Sequence, residues 1–175
     1  EWRRHPLESF EDAIPQQRRR TLHALVAQVF EGTDGSGPGA AMIARHFAAA
    51  GDSEKALRYA RIGARNAIRV GAYAAATDLL EEALDHARAR PEEAEVLEEL
   101  AGALQASGRA SDARAAIDRA LGLVEVARDV ARLEVRRAHV LRMEGRRRDA
   151  IAAAQRAIEI LDAGGGRELA EAVVT

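Results

Sequence analysis

Arginine supplies most of the chemistry this sequence can offer. The chain has 25 Arg against a single Lys, Lys55, and no Cys at all. Arg58, Arg61, Arg65 and Arg69 recur at spacings of 3, 4 and 4, which places four guanidinium groups along one stripe of a helix. Aligned cations repel, so something must neutralise them. Glu95 and Glu98 on a neighbouring helix are one answer, and an acidic peptide or phosphate held by Arg forks is the other. Both stay open at this level.

Other chemistries lack their parts. A phosphate-cradling P-loop needs a Gly-rich turn followed by Lys, and Lys55 follows no such loop. Gly35, Gly37 and Gly39 match a nucleotide loop in spacing only, with Pro38 interrupting them. His5, His23, His46, His86 and His139 are scattered, so a metal site would have to be assembled from separate helices, and His23 and His46 read as packed rings with one nitrogen bonded. No Ser sits in a nucleophile-elbow context. Adjacent carboxylates such as Glu81-Glu82 and Glu98-Glu99 point in different directions on a helix and read as a solvated face. The runs Arg18-Arg19-Arg20 and Arg146-Arg147-Arg148 read as solvated helix ends. Nucleic-acid binding would want a larger patch with aromatic stacking partners. No cofactor, metal or catalytic residue is expected.

The elements that must carry the Arg stripe are helices. Hydrophobic residues form 47 % of the 175 positions, yet aromatics only 3 %, and 40 residues are Ala. Ala is the best helix former and lets helices approach closely. Few β-branched residues argue against a large sheet. A net charge of −2 gives no global attraction to DNA. No apolar run reaches the roughly 20 residues that cross a bilayer.

A repeat organises these helices. Gly71, Gly108 and Gly145 are 37 residues apart, and small or aliphatic residues keep step with them: Ala64/Ala101/Ala138, Ala76/Ala113/Ala150, Leu80/Ile117/Ala154, Ala83/Ala120/Ala157 and Leu84/Leu121/Ile158. One copy reads as a helical hairpin. Val96, Leu97, Leu100, Ala101 and Leu104 share a face over 92–107, Gly108 ends that helix in the left-handed conformation, and Ser111 or Asp112 caps the next over about 111–124. One hairpin cannot bury its apolar face alone, whereas a stack can. Upstream, Pro15 opens a helix over 15–31 with an apolar stripe of Leu22, Leu25, Val26, Val29 and Phe30. A flexible linker follows over 32–39, then helices over 40–50 and from Asp52 or Ser53 to about Val70, the latter packing through Ala56, Leu57, Ala60, Gly63, Ala64 and Ala67.

These columns resemble the tetratricopeptide repeat over about 53–161. The period is longer than that family's, and the large aromatic of its first helix is replaced by Ala60, Leu97 and Glu134. The resemblance implies an all-α, right-handed superhelix of antiparallel helical hairpins, an α-solenoid. It puts Arg58, Arg61, Arg65, Arg69, Glu95, Glu98, Gln105, Arg132, His139 and Arg142 along a concave groove for a partner or ligand. A second resemblance covers about 2–88. Arg4-His5-Pro6-Leu7, Ile14-Pro15, Arg18-Arg19-Arg20, Leu22-His23, His46-Phe47, Ala50-Gly51-Asp52, Lys55-Ala56-Leu57 and Gly71-Ala72-Tyr73 resemble the stretch where the helical sensor begins in large bacterial signalling ATPases. That group includes LuxR-type and maltose-regulator-type transcription regulators and cyclase-associated relatives.

The organisation expected is a 1–31 helical segment joining from a preceding domain, the 32–39 linker, and repeats over 40–175. The function implied is a cytoplasmic, non-enzymatic sensor or scaffold that binds a protein partner or neighbouring domain through its concave face. The alternative is a small-molecule inducer site in the same groove. No nucleic acid or membrane contact is expected. Residues 167–175 read as the start of a further first helix, so an apolar edge around Leu169, Val173 and Val174 is expected to promote self-association.

Overall fold

The computed structural model of the chain describes residues 15–34, 37 and 39–163. The expected edge at Leu169, Val173 and Val174 lies outside the described residues, as does His5. Among the described residues there are eight helices and no strand: α1 (Gln16–Asp34), α2 (Ala40–Ala50), α3 (Ser53–Arg69), α4 (Tyr73–Ala87), α5 (Glu93–Ala106), α6 (Ala110–Leu121), α7 (Ala127–Met143) and α8 (Arg147–Ala163). Each helix packs on the next in chain order.

The three repeat glycines end α3, α5 and α7, and each has φ between 75° and 80°, the left-handed region where a side chain is strained. Asp52 caps α3 by accepting from the Lys55 amide at 3.0 Å. The hairpins α3–α4, α5–α6 and α7–α8 then stack. Ion pairs join α1 to α3, α3 to α5 and α5 to α7, so the first helices form one layer. Arg45 and Glu82 link α2 to α4 in the other layer.

The core is Ala-lined, with Leu, Ile and Val between. The small columns do what their size allows: Ala64, Ala101, Ala76, Ala113, Ala83 and Ala120 are all buried where helices cross. Gly63 goes further. A Cβ there would sit 3.2 Å from the Ala41 backbone nitrogen, so α3 touches α2 backbone to backbone.

Four expectations need correction. α1 continues through Asp34, three residues into the expected linker, and Gly37 is tied down by Asn66, whose Nδ2 donates to its carbonyl at 2.9 Å. The stripe Leu22, Leu25, Val29 and Phe30 is exposed. α1 buries Ala27 instead, because among the described residues no element lies over the stripe. Ser111 and Asp112 are inside the first turn of α6, which starts at Ala110 and ends at Leu121. Asp112 is drawn to Arg109 Nε at 2.7 Å rather than to the helix amides. Ala138 is only half-buried, because among the described residues no later helix packs on the α7–α8 hairpin.

Candidate functional site

The first helices present their charges side by side, and the sign alternates along the stack. α1 contributes Glu31, whose two carboxylate oxygens accept from Lys55 Nζ at 2.9 Å and from the Tyr59 hydroxyl at 2.8 Å, both on α3. Those bonds hold Glu31 below the usual carboxylate range, with the Lys55 bond the larger cause. Tyr59 also stacks on Phe47, with ring centroids 5.7 Å apart, and the Lys55 ammonium lies 4.7 Å from the Phe47 centroid.

α3 then meets α5 through the Arg stripe. Arg61 donates from Nε and Nη2 to Glu99 at 3.1 and 3.0 Å, and from Nη2 to Glu95 at 2.9 Å. Arg65 donates to Glu99 at 2.8 Å. Side-chain exposure separates the two arginines: 18 % for Arg61 and 59 % for Arg65, against 25 % for Glu99. Burial alone would push the Glu99 carboxyl up. The hydrogen bonds from Arg61 and Arg65 overcome this and hold it below its ordinary value.

α5 in turn meets α7. Glu98 is buried and takes Arg132 and Arg136. The partner expected for the Arg stripe is therefore corrected: Glu95 and Glu99 face α3, while Glu98 faces α7. The solvated reading of Glu98-Glu99 is overturned as well. Neighbours on a helix point about 100° apart, so one carboxylate reaches back along the stack and its neighbour reaches forward.

The remaining candidate residues divide by what holds them. Arg69 donates to Asn66 on its own helix at 2.9 Å. Arg58 lies 5.5 Å from the Tyr59 ring centroid, with no carboxylate in ion-pair reach among the described residues. Arg142 and His139 contact each other at 3.5 Å on α7. Gln105 sits half-buried near the end of α5. Two open clefts lie on this layer. One of about 340 Å³ is bounded by Arg58, Arg61, Arg65, Arg90, Glu54 and Glu92, and one of about 310 Å³ by Arg61, Glu95, Glu98, Glu99 and Arg136. Reading the sequence missed Glu99, Arg136 and Arg90. The first two had a signal, being one residue beyond the stripe columns, where a helix turns toward its neighbour.

One contact joins two residues read separately. His23 and His46 bring their Nδ1 atoms to 2.9 Å, so one ring donates and the other accepts. Burial, and then the charge of His23, hold His46 below its usual 6.5. Among the described residues no group of three His, Cys, Asp or Glu is placed to hold a metal.

No family model and no curated protein sequence matches this chain. Solved structures do. BtubC (BKLC) from P. vanneervenii superposes with a TM-score of 0.61 at 17 % identity, covering 92 % of this chain and 68 % of that one. A Podosopora anserina protein described as a kinesin light chain, with nearly identical TPR-like repeats, superposes at 0.54 and 17 % identity, covering 87 % and 89 %. The fold is a tetratricopeptide-like helical-repeat superhelix. MamA of MSR-1 shares it, at a TM-score of 0.55 and 22 % identity over 87 % of this chain and 80 % of that one. At these identities the likeness speaks to architecture. No described helix is long and apolar enough to cross a membrane.

Proposed function

We propose that this chain is a non-enzymatic scaffold or sensor that binds an acidic segment of a protein partner, or of a neighbouring domain, through its first-helix face. The observation that supports this is the uneven use of the Arg stripe. Arg61 is largely buried and spends Nε and Nη2 on Glu95 and Glu99, whereas Arg65 spends one nitrogen on Glu99 and stays largely exposed, and Arg58 meets only a ring. Arg58 and Arg65 therefore border the cleft of about 340 Å³ with donors to spare, beside Arg90. In this reading Arg69, Arg132, His139 and Arg142 extend the face and Arg61 holds it in shape. The context that fits is a bacterial cytoplasmic signal-transduction or transcription regulator. Support for it comes from the motifs of residues 2–88 that resemble the sensor start of signalling ATPases.

The test is binding of an acidic peptide library to the chain and to its Arg58→Glu/Arg65→Glu variant. Loss of at least tenfold in affinity with unchanged helix content is expected, since exposed ion pairs stabilise by only about 0–1 kcal/mol each. Affinity should also fall as salt rises, because exposed charges are screened over about 8–10 Å. Equal binding by the variant would sink the reading.

A further inference from the structure

Two ion-pair sites in the first-helix layer are the same site one repeat apart. At the first, Arg61 of α3 lies between Glu95 and Glu99 of α5. At the second, Glu98 of α5 lies between Arg132 and Arg136 of α7. Arg61 and Glu98 are 37 residues apart, as are Glu95 and Arg132, and Glu99 and Arg136. Each site is therefore built from one column of the repeat on the earlier helix and two columns on the later one. The two later residues are four apart, about one helical turn, so they straddle the earlier residue like the arms of a pincer. The signs are exchanged between the sites: a cation between two anions, then an anion between two cations. The residue at the centre is the covered one. Side-chain exposure is 18 % for Arg61 and 10 % for Glu98, against 61 % for Glu95 and 46 % for Arg132. A charge covered this far must be matched, because a desolvated ion without a partner costs far more than an exposed pair returns.

The same three columns reject other neighbours. α7 laid on α3 would set Arg61 between Arg132 and Arg136, cation against cations. The α5 of a second copy laid on α5 would set Glu98 between Glu95 and Glu99. α5 laid on α7 would set Val135, the third residue of the Arg61 column, between two carboxylates. The apolar columns carry no such information, since Ala64, Ala101, Ala76 and Ala113 are interchangeable in size. Repeats that share apolar columns are open to stacking out of order or to exchange between copies. We propose that the three charge columns set the order of the hairpins. The residue in the Arg61 column selects the first helix laid on it by the pair four apart on that helix. Like charge turns away the chain's other hairpins and those of a second copy. This concerns the stack alone and does not depend on the Arg58/Arg65 cleft.

Thermal melts followed by circular dichroism test it in two steps. In the full chain, Arg61→Glu/Arg65→Glu should lower the melting temperature by roughly 5 °C or more. Adding Glu95→Arg/Glu99→Arg should restore most of that loss, because the site is then inverted but matched. Adding Arg132→Glu/Arg136→Glu instead should lower the melting temperature further, since Glu98 loses its match as well. The second step changes the order itself. Deleting 93–129, one whole period of 37 residues, brings α7 onto α3 in register and sets Arg61 against Arg132 and Arg136. In that shortened chain Arg61→Glu should raise the melting temperature, whereas the same substitution lowers it in the full chain. The opposite signs are what a merely local contact would not produce. The proposal is overturned if Arg61→Glu moves both chains in the same direction. It is overturned as well if the shortened chain shows no cooperative melt with either residue at position 61. Rescue of Arg61→Glu/Arg65→Glu by Arg132→Glu/Arg136→Glu would also overturn it.

Discussion

Gly63 and Gly102 sit on neighbouring first helices and are held there by opposite circumstances. A Cβ on Gly63 would press on the Ala41 backbone and on Leu79 at 3.2 Å, whereas one on Gly102 would meet nothing within 4 Å. Gly-to-Ala in a helix stabilises by about 0.4–1 kcal/mol where space allows, and overpacking costs about 1–3 kcal/mol. Gly102→Ala should therefore raise the urea midpoint and Gly63→Ala should lower it. A higher midpoint for Gly63→Ala would mean that α2 and α3 are not in backbone contact.

Three groups held below their ordinary values, His46, Glu31 and Glu99, shape the acid side of the stability curve. His46 is held below its usual value, so the unfolded chain binds protons that the folded chain refuses, and stability falls as pH drops below the ordinary 6.5. Glu99 is also held low. Its contribution is present above the ordinary 4.5 and is lost as pH falls through the folded value. Urea melts from pH 8 to 3 should show two separate losses. His46→Gln should flatten the upper one, and Glu99→Gln and Glu31→Gln should each remove part of the lower one.

At the scale of the element, the question is why α7 tolerates a carboxylate where its counterparts have Ala60 and Leu97. Glu134 occupies that column and is buried. Arg156 on α8 grips it with Nε and Nη2 at 3.1 and 3.2 Å, and Arg137 stands 3.6 Å away. The two helices of this hairpin are therefore fastened by an ion pair where the other hairpins use apolar packing. Breaking one side of such a pair strands a desolvated charge at a cost of about 1–3 kcal/mol, while replacing the charge by an aliphatic group of similar size is often neutral. Arg156→Ala should lower the melting temperature by several degrees, and Glu134→Leu combined with Arg156→Leu should restore most of it. No recovery in the double variant would show that the fork, rather than the packing of α7 on α8, holds the hairpin. The same reasoning separates Arg61 from Arg65. Removing Arg61 leaves a half-buried Glu99 short of two bonds, whereas removing Arg65 loosens an exposed contact.

The described residues form a stack whose main contacts run between successive helices, so its stability is approximately a sum of local and interface contributions. A defect in the middle should therefore act on two interfaces, and one at the end on fewer. Ala101 is buried within the central hairpin, and Ala138 is half-buried in the last one. Ala101→Leu should cost about 1–3 kcal/mol by overpacking, and Ala138→Leu clearly less, because its added methyls have open groove beside them. Hydrogen exchange should show faster opening on both sides of α5 in the first variant, and only in α7–α8 in the second. Equal effects would mean that the last hairpin is covered in solution.

The helices, their order and their repeat were legible in the chain itself, because each rests on local physics. Ala content favours helix, a 37-residue column of glycines demands a left-handed stop, and small residues in step with it mark where backbones cross. The Arg stripe was legible for the same reason, as a spacing along one helix. Its meaning was not, because charge pairing depends on the angle at which the next helix lies. That angle gives Arg61 to Glu99 and turns Glu98 away to Arg132 and Arg136. The His23–His46 contact and the buried Glu134 are likewise facts of packing. Sequence spacing determines which side chains share a face, but only the stacked structure decides which face meets which. Burial, and with it the strength of every charge on that face, follows from that meeting.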